Sequence, residues 1–347
     1  MGRSPLRTLR RRLTAGLTHT ACDAAPWMPK SAISAAEWLI GRFGALTPVL
    51  ASTVRRNMKA AGVYSPKVIR DYFRNAALHL TNGVRIFHFR GRPEAIREIA
   101  RREVDLDPSV DVARKFASEG PGGIITPAHC TNYLVSLVRL RETVPFAIYL
   151  RWSKDQRKVE LKRKWCENAG LDVIIESRDA ANPMGAAMVL AETIRDGKIL
   201  AITPDLAQES DVGTPVQTLG RTAYLPTGPA SLALLCDVPL IPLFARQVAG
   251  RQILYAEEPI HVRSLPRTEG GRSESVRRAM QAWADGFDRF IRTTPEAWFL
   301  WGDNRWTRVF QDDPEYTAPP ADGDTNKNRP NEAAGTTAPQ PPLNSTP

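Results

Sequence analysis

The sequence predicts an α/β fold: a mixed, largely parallel sheet flanked by helices, behind a helical N-terminal lead-in. Two observations carry this. From about residue 119, short runs rich in β-branched residues alternate with stretches of helical spacing. Such alternation implies crossover connections and therefore a parallel sheet. Before about residue 105 no strand-like run appears, and apolar residues recur every three or four positions instead.

In chain order, Met1 to Thr14 carries Arg3, Arg7, Arg10, Arg11 and Arg12 with no long apolar run behind them. This reads as a basic flexible arm, 1–30, rather than a secretory signal. Helices are expected over Ser34–Arg42, Thr53–Ala60 and Pro66–Phe87. In the last, Val68, Tyr72, Phe73, Ala76, Leu80, Val84 and Phe87 form one apolar stripe. Strands are expected at Gly123–Thr126, Phe146–Leu150, Leu171–Ile175 and Ile199–Thr203, with helices at about 131–142, 155–169 and 184–196 between them. Pro239–Ala245 and Gln252–Glu257 add two strands, and Ser273–Thr293 a long helix. The whole of 31–312 is read as one domain, with 31–105 its lead-in. Residues 313–347 hold almost no large apolar side chain. They cannot bury enough surface to offset chain entropy, so disorder is expected there.

Composition narrows the partners. A net charge of +10 calls for an anionic one. No nucleic-acid-binding motif is visible and the Arg residues are scattered, so nucleic acid is not expected. Cys22, Cys130, Cys166 and Cys236 lack paired spacing, which argues against a metal site or a disulfide framework. Spanning a bilayer takes roughly 20 nearly uncharged residues. The best candidate, Ser31 to Ser52, is broken by Glu37, Arg42 and Pro48.

In an open α/β sheet, function collects at the carboxyl ends of the strands. There this chain supplies His129, Arg151 and Asp205, then Arg221 after a loop of about fifteen residues. Thr227, between Pro226 and Gly228, stands at a helix entry, where a cap is expected. An imidazole on such a rim is the usual general base.

Several blocks in order resemble the bacterial lipid A late acyltransferases, within the wider glycerolipid acyltransferase fold. They are Arg56-Asn57-Met58 with Tyr72-Phe73-Arg74-Asn75, Gly122 to Leu134, Arg151, Gly170 to Ile174, Pro204-Asp205, Gly220 to Ala230, Val238 to Pro242, and Pro295 to Trp301. The resemblance spans roughly 50–310. It implies transfer of a fatty acyl chain from acyl carrier protein or CoA to a lipid hydroxyl. No cofactor is implied beyond that thioester. The chain is expected to be a monomer, peripheral on the cytoplasmic side of the inner membrane and resting on anionic lipid.

The family's His-x4-Asp/Glu motif implies that His129 is the base. Its carboxylate position is Leu134 here, and Leu206 stands where the family has a Gln or His after the later Asp. Asp205 is the expected substitute, with Glu209 and Asp211 as further candidates. Asn132, Arg151, Arg163, Arg221 and Thr227 are expected to contact substrate, with Arg151 and Arg221 meeting its phosphate or the oxyanion. The alternative is a non-catalytic lipid-binding paralogue that has lost the dyad. Trp38-Leu39-Ile40 beside Arg42 reads as an interfacial surface. His79 and His88 read as core or solvent residues.

Overall fold

In the computed structural model, which describes residues 20–150, 156–175, 183–248, 251–263 and 271–319, the strand–helix alternation becomes a seven-stranded sheet. Its strands are β1 (Val104–Leu106), β2 (Gly123–Pro127), β3 (Phe146–Leu150), β4 (Asp172–Ile175), β5 (Ile199–Ala201), β8 (Leu240–Val248) and β9 (Arg251–Ala256). They lie in the order β1-β9-β8-β2-β5-β3-β4. Every neighbouring pair is parallel except β8 with β9. Central β2 and β5 are buried throughout, as parallel strands covered on both faces must be. Gly122 lets the chain enter β2: its φ is +88°, and a Cβ there would lie 2.7 Å from the Lys198 carbonyl.

Two pieces of the sheet architecture depart from the sequence reading. β1 is only three residues long, too short to show a period inside a helical region. The stretch read as a fifteen-residue loop contains β6 (Thr214–Thr218) and pairs with β7 (Arg221–Leu225) in a separate antiparallel hairpin. Its buried positions alternate as Thr214, Val216 and Thr218. Threonine in two of the three inward positions hides that period from a hydrophobicity count.

The lead-in forms helices Lys30–Phe43, Pro48–Ala60, Pro66–His88 and Pro93–Glu103. The third begins where Ser65 accepts a hydrogen bond from the Val68 N–H at 3.1 Å, with Pro66 at the first helical position. Its predicted stripe is half right. Tyr72, Phe73, Ala76 and Phe87 are core, but Leu80 is 49 % exposed. The same helix also buries Asn75, His79 and Asn82. With Tyr72 these follow the three- and four-residue spacing of one helix face, making a polar ridge directed at the site.

Structure extends past both predicted boundaries. Within the span read as an arm, Cys22 and Ala25 are buried against Phe87, and the Ala25 carbonyl lies 2.9 Å from His88 Nδ1. Beyond Asp312, Tyr316 is buried in a short helix, Pro314–Thr317, with the Arg308 guanidinium over its ring at 4.5 Å. Residues 1–19 and 320–347 lie outside the described residues. Among those described, no helix is long and apolar enough to cross a membrane.

Candidate active site

The register of the two central strands brings the site together. Ile125 of β2 is paired with Ala201 of β5, and the Ile202 N–H extends the pairing to the Ile125 carbonyl at 3.0 Å. His129 and Asp205 each lie four residues beyond that pair. Two parallel strands with equal exits deliver their side chains to the same place, in the crevice above the strand ends.

There the His129 Nδ1 is 2.6 Å from Asp205 Oδ1. The other oxygen, Oδ2, accepts the His129 backbone N–H at 2.7 Å and the Trp298 indole N–H at 3.0 Å. The Trp306 indole donates to the Asp205 main-chain carbonyl at 2.8 Å. The carboxylate therefore holds its histidine twice, by ring and by backbone. Asp205 is fully buried, whereas the His129 side chain keeps 19 % exposure. With the Nδ1 proton directed at the carboxylate, Nε2 is left with a free lone pair, the tautomer a general base needs.

Aromatic packing seals the carboxylate. Trp298 meets Trp301 edge-on at 4.9 Å, Trp306 at 5.1 Å and Phe287 at 5.2 Å between ring centroids. These four rings are fully buried. The segment carrying Trp298 is tied to the histidine loop by further bonds. Phe299 N–H donates to the His129 carbonyl at 2.9 Å, and the Thr131 N–H and hydroxyl both donate to the Ala297 carbonyl. The polar ridge supports the strap from beneath, since Tyr72 donates to the Phe299 carbonyl and Asn75 to that of Glu296.

Beside the strap lies a cavity of about 640 Å³. Its walls are mostly apolar and include Leu39, Phe43, Phe73, Ala76, Leu80 and Phe299. Phe299 is shared with the site: its ring packs 4.3 Å from that of His79. His79 and His129 both pack on the ring of Tyr133, at 5.9 and 5.3 Å. Burial first, and the nearby His129 second, pull the His79 pKa down to about 4. Burial pushes the Cys130 thiol far up, so the residue next to His129 stays protonated and is no nucleophile.

The other predicted contacts fare differently. Leu134 is buried in the core at 4 % exposure. Asn132 adopts the left-handed conformation, φ 61°, at the start of helix Tyr133–Arg141. Its amide accepts from Asn82 at 2.7 Å and donates to Glu103 at 3.0 Å. It is thus bound into a network reaching Arg85 and Glu37. Arg163 is engaged along its own helix by Glu160 at 2.6 Å and by Glu167. Arg221 sits at the turn of the β6–β7 hairpin, paired with Asp312. Thr227 precedes helix Gly228–Cys236 but makes no side-chain cap. Glu209 turns into its own loop, where its carbonyl accepts from Val212 and Gly213. Arg151 lies outside the described residues.

Sequence reasoning missed Trp298 as a ligand of the carboxylate and His79 as a neighbour of the histidine. A visible signal for the first was the run Trp298, Trp301 and Trp306 near the end of the domain. Among the described residues no cluster of His, Cys, Asp and Glu could hold a metal ion.

Residues 168–308 match the family described as bacterial lipid A biosynthesis acyltransferase. Over this segment the chain is similar to that family. The matched span carries Asp205 and the tryptophans that seal it. The matched segment thus supplies the carboxylate half of the site, and the histidine follows β2, upstream of it. No curated protein matches the sequence.

Proposed function

We propose that this acyltransferase of lipid A type moves a fatty acyl chain from a thioester, on acyl carrier protein or CoA, to a hydroxyl of a lipid A precursor or related glycolipid. The supporting observation is the His129–Asp205 pair at 2.6 Å, beside an apolar cavity that shares Phe299 with the site. The acceptor hydroxyl gives its proton to Nε2 as its oxygen attacks the thioester carbonyl. Asp205 holds the ring in position and balances the imidazolium that forms. When the tetrahedral intermediate collapses, the carbon–sulfur bond breaks and the imidazolium returns the proton to the departing thiolate. The acyl chain lies in the cavity, where each buried CH₂ contributes about 0.8 kcal/mol.

The same cavity is rimmed by exposed Leu39, Phe43 and Leu80, with Trp38 and Leu46 beside it. Arg42 lies 5.8 Å over the Phe43 ring. Apolar side chains edged by cations suit the boundary of an anionic bilayer, so peripheral attachment there is part of this reading. The non-catalytic alternative rested on Leu134, and Asp205 in hydrogen-bond contact with the ring favours catalysis over it. The test is acyl transfer by purified protein together with lipid mass spectrometry of cells with and without the gene. His129→Ala should abolish transfer and deplete one acylated species. Undiminished turnover in that variant overturns the reading.

A further inference from the structure

The dyad explains the proton but leaves the oxygen of the attacked carbonyl without a partner, and attack places negative charge there. Several backbone donors among the described residues next to His129 are already engaged. The N–H groups of His129, Cys130, Thr131, Tyr133 and Phe299 go to Asp205, Ala128, Ala297, Cys130 and His129 respectively. The indoles are engaged too: Trp298 and Trp306 bind Asp205, and Trp301 binds the Pro295 carbonyl. Asn132 is held by Asn82 and Glu103.

The His79 ring is not so engaged. It is 8 % exposed, packs on Phe299 and on the Tyr133 ring that it shares with His129, and makes no ring hydrogen bond to a described residue. The ring is largely buried but its nitrogens are not sealed in, so a ring N–H can meet a group that enters the site. We propose that His79 is a third catalytic side chain, donating a ring N–H to the acyl carbonyl oxygen as it becomes an oxyanion.

The low pKa suits that task, because the ring stays neutral at physiological pH and keeps one N–H without competing with His129 for the proton. A neutral imidazole held at low pKa is an established electrophile in another enzyme class. The assignment rests on the proposed acyl transfer, and the test separates the two. His79→Phe keeps the packing and removes the donor, and His79→Gln restores one. With lauroyl-CoA and detergent-solubilised bacterial lipid, His79→Phe should lower kcat about 10²-fold with KM within about threefold, the loss typical of one oxyanion donor. His79→Gln should recover part of the loss. A second readout needs no turnover. Undecyl trifluoromethyl ketone, whose hydrate ionises to an oxyanion, should bind His79→Phe at least about tenfold more weakly, while dodecanol binding stays unchanged.

If His79→Phe keeps both kcat and ketone affinity while His129→Ala is inactive, the assignment fails and the acyltransferase reading stands. If wild type binds the ketone no better than His79→Phe does, the assignment fails whatever the turnover. If His129→Ala transfers as well as wild type, it is the acyltransferase reading that fails.

Discussion

Asp205→Asn is the sharpest perturbation of this site because it changes almost no volume. The aspartate presents two acceptor oxygens to three N–H donors: the ring and backbone of His129, and Trp298. Asparagine has one oxygen and one NH₂. If the NH₂ faces the ring, Nδ1 must become the acceptor, the ring proton moves to Nε2, and the base loses its lone pair. If it faces the other side, it opposes the His129 backbone N–H and the Trp298 indole, leaving buried donors without acceptors. The first arrangement costs catalysis about four orders of magnitude, as in other histidine–carboxylate pairs. That is about 5 kcal/mol of transition-state stabilisation. The second costs stability by about 1–3 kcal/mol per unsatisfied group. Initial rates of thioester-dependent acyl transfer, with thermal unfolding on the same samples, measure both. A folded Asp205→Asn enzyme within tenfold of wild type would refute the role given to the carboxylate.

Further outcomes are expected. Leu134→Glu, which restores the family's acidic residue in sequence, should not raise activity, since Asp205 already holds the ring and position 134 is core. It should destabilise by about 3–5 kcal/mol in chemical denaturation, the size of an uncompensated buried charge. Trp298→Phe removes the indole bond to Asp205 and should cost about 1–3 kcal/mol of stability and lower kcat at unchanged KM. Ala76→Phe should fill part of the apolar cavity and shift donor preference to chains a few carbons shorter, each excluded CH₂ weakening binding by about 0.8 kcal/mol, as read from competition between acyl-CoAs. His79, lowered from 6.5 to about 4, binds its proton more weakly folded than unfolded. Its contribution is neutral above pH 6.5, and stability is lost as pH falls from there to 4, by about 3 kcal/mol. Denaturation midpoints across that window should flatten in His79→Phe.

Much of the sheet was legible because its strands are β-branched runs set between helical spacings, and β3 was read to the residue. Sequence also placed His129 and Asp205 on one rim. That they touch depends on the pairing of Ile125 with Ala201, which no local pattern displays. The network around Asn132 was not legible, because its partners, Asn82 and Glu103, are distant in sequence and come close only through tertiary packing. The ion pairs of Arg163, by contrast, were legible. Glu160 and Glu167 stand three and four residues away, a helical ion-pair spacing visible from the start. His79 looked like a core residue because a polar side chain at a buried helix position carries no label of what lies across from it.

The strap that seals Asp205 also gives the site a time of assembly. His129 and Asp205 precede Trp298 and Trp306 in the chain, so a chain without the later segment would leave the carboxylate open to water. Only when the last helices dock does the indole cage close and the imidazole acquire its fixed tautomer. A chain cut short before Trp298 would carry the paired strands and the base yet lack the dry enclosure. The dry enclosure of Asp205 is therefore complete only when the C-terminal segment is in place.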